Sequence, residues 1–191
     1  MLKEGEALNH PATTRAAILE KSRQLIMAQG WSAISIRTLA AACGVSVGAI
    51  YNYFPSKAEL LLATVDTICT DIFRMPAEGG FDSITDCIRW AYGRMADGMA
   101  RYPGFFVSHA AIFTGEERLQ GRAVMLQAWQ HMHDQLLRAI ACDPRIRPDA
   151  FDAHLTRQGL TELIFSQLLM SLTLGPSEPD ALIALVERSL Y

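Results

Sequence analysis

From Ser35 to Lys57 the chain reads SIRTLAAACGVSVGAIYNYFPSK, and its apolar positions there follow a helical period in two short bursts. Ile36, Leu39, Ala40 and Cys43 fall on one face, Gly44 interrupts, and after Ser46 the pair Ile50 and Phe54 resumes at i,i+4. This spacing predicts two short helices joined by a tight turn. Gly44 stands where a left-handed C-terminal cap is needed, and Ser46 is a good N-cap for the second helix, read from Ser46 to Phe54. In a helix-turn-helix of this kind the second helix enters the DNA major groove.

The same period organises the rest of the chain. Met1 to Pro11 has no helical pattern and reads as a mobile arm, in which only Lys3 and His10 could reach a minor groove. Thr13 or Thr14 caps a long helix carrying Ile18, Ser22, Leu25, Ile26 and Gln29, and Gly30 ends it. Its stripe is expected on the helix-turn-helix, with Trp31, Ile34 and Ile36 closing a small three-helix core. Ser56 and Glu59 form an S-x-x-E capping box that opens a third helix. That helix is apolar on more than one side through Leu60, Leu61, Leu62, Val65, Ile68, Ile72 and Phe73, which fits a lever leaving the head and clasped by a body. Met75 to Gly80 reads as a loop. Further helices are predicted over Phe81 to Arg101, Phe105 to Phe113, Glu116 to Cys142, Pro148 to Leu174 and Glu178 to Leu190. No strand pattern occurs, so the fold class is all-α: a helix-turn-helix head over 11–57, a connecting helix over 58–75 and a helical body over 81–191.

Composition narrows the function classes. Half of the 191 residues are apolar, enough for a sizeable core, and the chain carries a net charge of −3. Between His10 and Lys57, however, five basic side chains stand against one acid, Glu20. A basic head on an acidic body fits a nucleic-acid surface confined to the head, although this charge alone is ordinary. Cys43, Cys69, Cys87 and Cys142 are widely spaced, without a C-x-x-C pair, and read as small buried hydrophobes in a reducing cytoplasm rather than as a redox sensor. No apolar run is long enough for a membrane span. No cofactor or metal is expected: His131 and His133, at i,i+2, face apart on a helix.

On the second helix Val47, Gly48, Tyr51 and Asn52 share the face next to Ile50 and Phe54. Gly48 costs about 1 kcal/mol relative to alanine, tolerable where another backbone must come close. Tyr51 and Tyr53 can offer hydroxyls to phosphates, and Val47 and Ala49 can touch a thymine methyl. With no Arg, Lys or Gln on this helix, base reading leans on apolar contacts, Asn52, Ser46 and DNA shape. Lys57, in the first turn of the next helix, makes a phosphate clamp with the free amides there. The run Gly44-Val45-Ser46, Gly48, Tyr51-Asn52-Tyr53-Phe54 and Lys57-Ala58-Glu59-Leu60 resembles the DNA-binding signature of TetR/AcrR-type bacterial transcriptional regulators, over roughly the first third of the chain. The resemblance implies a homeodomain-like three-helix head on a ligand-binding and dimerisation body, and a palindromic double-stranded operator. It adds Arg15, as a phosphate contact, to Ser35, Arg37, Thr38, Ser46, Val47, Gly48, Ala49, Tyr51, Asn52, Tyr53 and Lys57 as the candidate DNA surface.

In the body, the segment from Leu160 to Leu174 is apolar nearly all round and must be covered on both sides. Either it is one deeply buried helix of a monomer, or a second copy covers one side. The family resemblance favours a two-fold dimer through a four-helix bundle, with Leu160, Ile164, Gln167, Leu168, Ser171, Leu182, Leu185 and Val186 as candidates. Trp90, Met95, Met99, Phe106, His109, Phe113, Met125, Trp129 and Phe165 supply flexible and aromatic surface that suits an apolar or amphipathic effector, or is simply core. An enzyme is the rival reading, but the chain has no nucleophile elbow and no H-E-x-x-H, and GEERLQG from Gly115 lacks the Gly-Lys-Ser/Thr of a phosphate loop. A protein-interaction module that keeps the head fold without DNA binding is the other.

Overall fold

The computed structural model describes residues 13–74, 80–106, 116–175 and 178–191. Among them are eight α-helices and no strand: α1 (Arg15–Gln29), α2 (Ile36–Cys43), α3 (Val47–Tyr51), α4 (Lys57–Ile72), α5 (Ile84–Arg101), α6 (Glu116–Cys142), α7 (Arg157–Leu174) and α8 (Asp180–Leu190). Side-chain caps set most of the starts. The hydroxyls of Thr14, Ser46, Ser56 and Ser83 each accept an amide of the first turn that follows, at 3.1 Å in every case. At α2 the box is reciprocal: Ser35 Oγ accepts from Thr38 N at 3.1 Å and Thr38 Oγ1 from Ser35 N at 2.9 Å. Gly44 then ends α2 in the left-handed region, φ 66°, with Gly44 N donating to Ala41 O and Val45 N to Ala40 O, the two bonds of a Schellman motif.

Two apolar clusters form. The smaller joins Ile18 and Leu19 of α1, Ile36, Leu39 and Ala40 of α2, Ile50 of α3, Phe54 and Leu60. The larger runs through α4 to α8 and also takes in Ile26, Trp31 and Ile34. The expected head core is therefore corrected at two positions. Trp31 and Ile34 belong to the body's cluster, because Trp31 N donates to Pro103 O at 3.0 Å and its ring meets Phe105 edge-on at 5.4 Å. Helix α4 bridges both clusters, presenting Leu60 to one and Leu61, Val65, Ile68 and Ile72 to the other.

Other boundaries shift. α3 stops at Tyr51, and α7 begins at Arg157 rather than Pro148. Residues between α6 and α7 are held as turns: Asp152 Oδ1 accepts from His154 N and Leu155 N at 2.7 Å, and Asp143 accepts from Arg145 N at 3.0 Å and, across to the start of α5, from Ile84 N at 3.1 Å. Apart from Phe105 and Phe106, the short helix expected from Phe105 to Phe113 lies outside the described residues, as do Met1 to Pro11 and most of the Met75 to Gly80 loop. Of the cysteines, Cys69 and Cys87 are buried as expected, and burial pushes both thiols up to about 12. Cys142 is exposed and Cys43 half-buried, which corrects that expectation. No described helix is long and apolar enough to cross a membrane, and no described group of His, Cys, Asp and Glu could hold a metal ion.

Candidate nucleic-acid interface

Helix α3 is held from behind and open in front. Ile50 and Phe54 are fully buried in the small core, while Ser46, Val47, Gly48, Tyr51 and Asn52 face solvent. Val47 is 40% and Tyr51 44% exposed, both high for large apolar side chains. Lys57 is exposed at the first position of α4, beside the amide end that Ser56 caps, so an ammonium and a helix N-terminus lie together. Arg37 and Thr38 are exposed on α2, and Arg15 is exposed on α1, its guanidinium 4.9 Å from the centre of the Phe54 ring.

Several of the hydroxyls assigned to DNA from sequence have partners inside the head. Tyr53 is half-buried and donates to Thr13 O at 2.6 Å, so its proton ties the chain before α1 to the end of α3. The phosphate role expected of Tyr53 is corrected accordingly. Thr38 Oγ1 faces Ala33 O at 2.9 Å and Ser35 O at 3.0 Å while accepting from Ser35 N, so it builds the α2 cap. Ser35 is half-buried in the same box, and Ala49 is half-buried behind Val47.

A second polar cluster, not found in the sequence, sits where head meets body. Asp71, in the last turn of α4, accepts from Tyr102 Oη at 2.7 Å and Arg101 Nη1 at 3.0 Å, and Arg23 of α1 stands 3.6 Å away. Burial alone would raise the Asp71 carboxyl, but these three donors outweigh it and hold it below the usual carboxylate range. Arg94 caps the end of α4 through Ile72 O at 2.7 Å and Asp71 O. Between them Gly98 lets α5 touch α4, since a Cβ there would lie 2.8 Å from Ile72 Cδ1. Arg94, Gly98 and Arg101 thus share one face of α5 that grips the C-terminal turn of α4. Their i, i+4, i+7 spacing was the available signal; Asp71, over twenty residues away, gave none.

The aromatic residues of the body do not gather into one described cavity. Met95 is core, Trp90 tilts on Phe81 at 5.3 Å, Phe106 packs edge-on against Phe105 at 5.0 Å, and Phe165 meets His133 edge-on at 5.8 Å. Met99 is half-buried on α5. Among the described residues, Trp129 Nε1 and His133 Nδ1, one turn apart on α6, are buried without a hydrogen-bond partner, with Asp134 Oδ1 3.8 Å from the latter. His109, Phe113 and the Met125 side chain lie outside the described residues. An open cleft of ≈ 460 Å³ is lined instead by Arg89, Tyr92, Gly93, Ala96, Glu178, Pro179 and Asp180.

The apolar face left uncovered on α7 also differs from the one read in sequence. Leu160, Ile164, Leu168 and Ser171, with Val186 of α8, are buried within the protomer, so they cannot form an outer contact; the correction follows from α5 and α6 packing on that side. Gln167 and Leu185 remain exposed and Leu182 half-buried. Leu163, Met170 and Leu174 join Leu185 in solvent, Leu174 at 79% exposure.

The described residues combine a capped helix-turn-helix with a larger set of packed helices, the architecture of a helix-turn-helix protein. Residues 18–64 match the model of bacterial regulatory proteins, tetR family. The chain is 28% identical over 128 residues to the HTH-type transcriptional regulator EthR of Mycolicibacterium smegmatis, a match covering 66% of this chain and 57% of that relative's length. Its fold is similar to that of the multidrug binding protein EbrR complexed with imidazole (TM-score 0.59, 16% identity, 91% of this chain and 93% of that one). It is also similar to AibR in complex with isovaleryl coenzyme A and operator DNA (TM-score 0.51, 20% identity, 90% and 89%).

Proposed function

We propose that this protein is a cytoplasmic, homodimeric DNA-binding transcriptional regulator, a repressor released by a small apolar or amphipathic effector. The observation that carries the reading is the placement of Ser46, Val47, Gly48, Tyr51 and Lys57 on one open surface of a head whose opposite side is closed by Ile50 and Phe54. Phosphate affinity comes from Lys57, Tyr51, Arg15 and Arg37, with Val47, Gly48 and Asn52 at base edges. The division is a head over 11–57, α4 as connector over 58–75 and an effector-binding and dimerisation body over 81–191.

The dimer forms through Leu163, Gln167, Met170 and Leu174 of α7 with Leu182 and Leu185 of α8, an arrangement that would set two α3 helices about 34 Å apart or more. The effector enters among the helices that carry Trp129, His133 and Phe165, where Trp129 Nε1 and His133 Nδ1, without a hydrogen bond among the described residues, give an amphipathic molecule polar anchors. Binding there favours a tilt of α4 about the end that Arg94 and Arg101 hold, changing the distance between heads. That EbrR is a multidrug binding protein and that AibR is complexed with an acyl coenzyme A and operator DNA support an effector of this class.

The test is selection from a random duplex pool by purified protein at one stated salt concentration. An enriched palindrome bound by a dimer, with the mass fixed by sedimentation, is expected. No enrichment by folded protein would refute DNA recognition and bring forward the interaction-module reading.

A further inference from the structure

Four of the hydroxyls that sequence offered to DNA, those of Ser35, Thr38, Ser46 and Tyr53, are engaged inside the head, while that of Tyr51 stays open. Ser35 and Thr38 close the reciprocal cap of α2, Ser46 Oγ accepts from Ala49 N at 3.1 Å, and Tyr53 donates to Thr13 O. What stays open in the first turn of α3 is Val47 and the Cβ-free edge of Gly48, where an added methyl would meet only Ser46 Oγ, at 3.8 Å. First-turn residues of a recognition helix are the ones that reach base edges. Valine has neither donor nor acceptor, and the apolar group that a major groove presents to it is the C5-methyl of thymine. Asn52, which is exposed and polar, stands five residues further on, about 7.5 Å along the axis.

We infer that each operator half-site contains one thymine recognised through its methyl group by Val47, with Gly48 allowing the α3 backbone to approach closely. The inference rests on the DNA-binding reading above and specifies its sequence code: discrimination by a buried methyl contact, where a longer polar helix would use paired hydrogen bonds to purines. Removing one methyl-sized apolar contact weakens binding about fourfold per half-site, so about 15-fold when both halves of a symmetric operator lose it.

Deoxyuridine keeps the pairing of thymine and lacks only the methyl, so it is the probe. In the duplex enriched by selection, each thymine is replaced singly and then in symmetric pairs, and affinity is measured at fixed salt. The expected result is one symmetry-related position at which uracil weakens binding by the factors above. Val47→Ala, at an exposed helical position, should fold normally by circular dichroism and bind thymine and uracil duplexes equally, at the wild-type affinity for uracil. An enriched palindrome with no uracil-sensitive position, or a uracil effect that persists in Val47→Ala, overturns the methyl reading and leaves DNA binding intact. Absence of any enriched sequence removes both.

Discussion

Gly93 and Gly98 lie on the same helix, five residues apart, and substitution by alanine should act on them with opposite signs. At Gly93 an added methyl meets nothing within 4 Å, so alanine acts through backbone entropy and helix propensity, stabilising the fold by about 0.5–1 kcal/mol. At Gly98 the new Cβ would lie 2.8 Å from Ile72 Cδ1, 2.9 Å from Cγ1 and 3.1 Å from Cγ2. Ile72 is 1% exposed and β-branched, and the contacts reach the root of its side chain, so it cannot swing clear. Overpacking of this kind costs about 1–3 kcal/mol, against which the same propensity gain is set. The difference between the two variants cancels propensity and isolates the α4–α5 contact at about 1–3 kcal/mol. Equilibrium urea denaturation at one protein concentration measures it, the concentration being fixed because subunit association adds to stability. Gly93→Ala should raise the midpoint and Gly98→Ala lower it, with the slope unchanged. Ile72→Val, which removes Cδ1, should recover part of the loss in the double variant. If Gly98→Ala stabilises as much as Gly93→Ala, the close approach that seats α4 on α5 is wrong.

The two tyrosines at the end of α3 should separate by assay. Tyr53→Phe loses the bond to Thr13 O and about 1 kcal/mol of stability with little change in DNA affinity, while Tyr51→Phe lowers DNA affinity and leaves the denaturation midpoint in place; a swap of these outcomes in paired binding and denaturation experiments would reverse the assignment. Asp143 gives a pH dependence. Burial would raise its carboxyl, but hydrogen bonds from the Tyr191 hydroxyl and the amides of Arg145 and Ile84 hold it below the ordinary range. A depressed folded value means that its contribution is whole above the unfolded value, about 3.9, and is lost as pH falls through the folded one. Between about pH 5 and pH 2.5 the urea midpoint of Asp143→Asn should therefore fall less than that of the wild type.

Helix starts were legible in the sequence wherever the determinant is local. Ser46 and Ser56 cap the helices that their positions announce, and Thr14 is the one of the Thr13–Thr14 pair that caps α1, because a hydroxyl three residues before an amide is a property of a few consecutive residues. The open side of α3 was legible for the same reason, since Ile50 and Phe54 leave it only one way to turn. What was not legible depends on distant partners. Trp31 goes to the body because of Pro103 and Phe105, more than seventy residues away. On α7 leucines occupy nearly every side, so period alone could not say which stripe the protomer itself covers. The hydroxyls of Thr38 and Tyr53 suited a phosphate as well as a carbonyl, and only the fold shows that Ala33 and Thr13 take them.

The division of the apolar residues between two clusters bears on how such a chain could exchange parts during evolution. A recombination point at the end of the helix-turn-helix would carry Ile26, Trp31 and Ile34 away from the partners that bury them, and would leave the Pro103 carbonyl and the Phe105 ring facing a foreign surface. A transplanted head would then arrive with an exposed indole, and its host would gain a hole of matching size. Single changes on the open side of α3, where Val47, Gly48 and Asn52 face solvent, disturb neither cluster. The open face of α3 is thus free to change while the head as a whole is not portable.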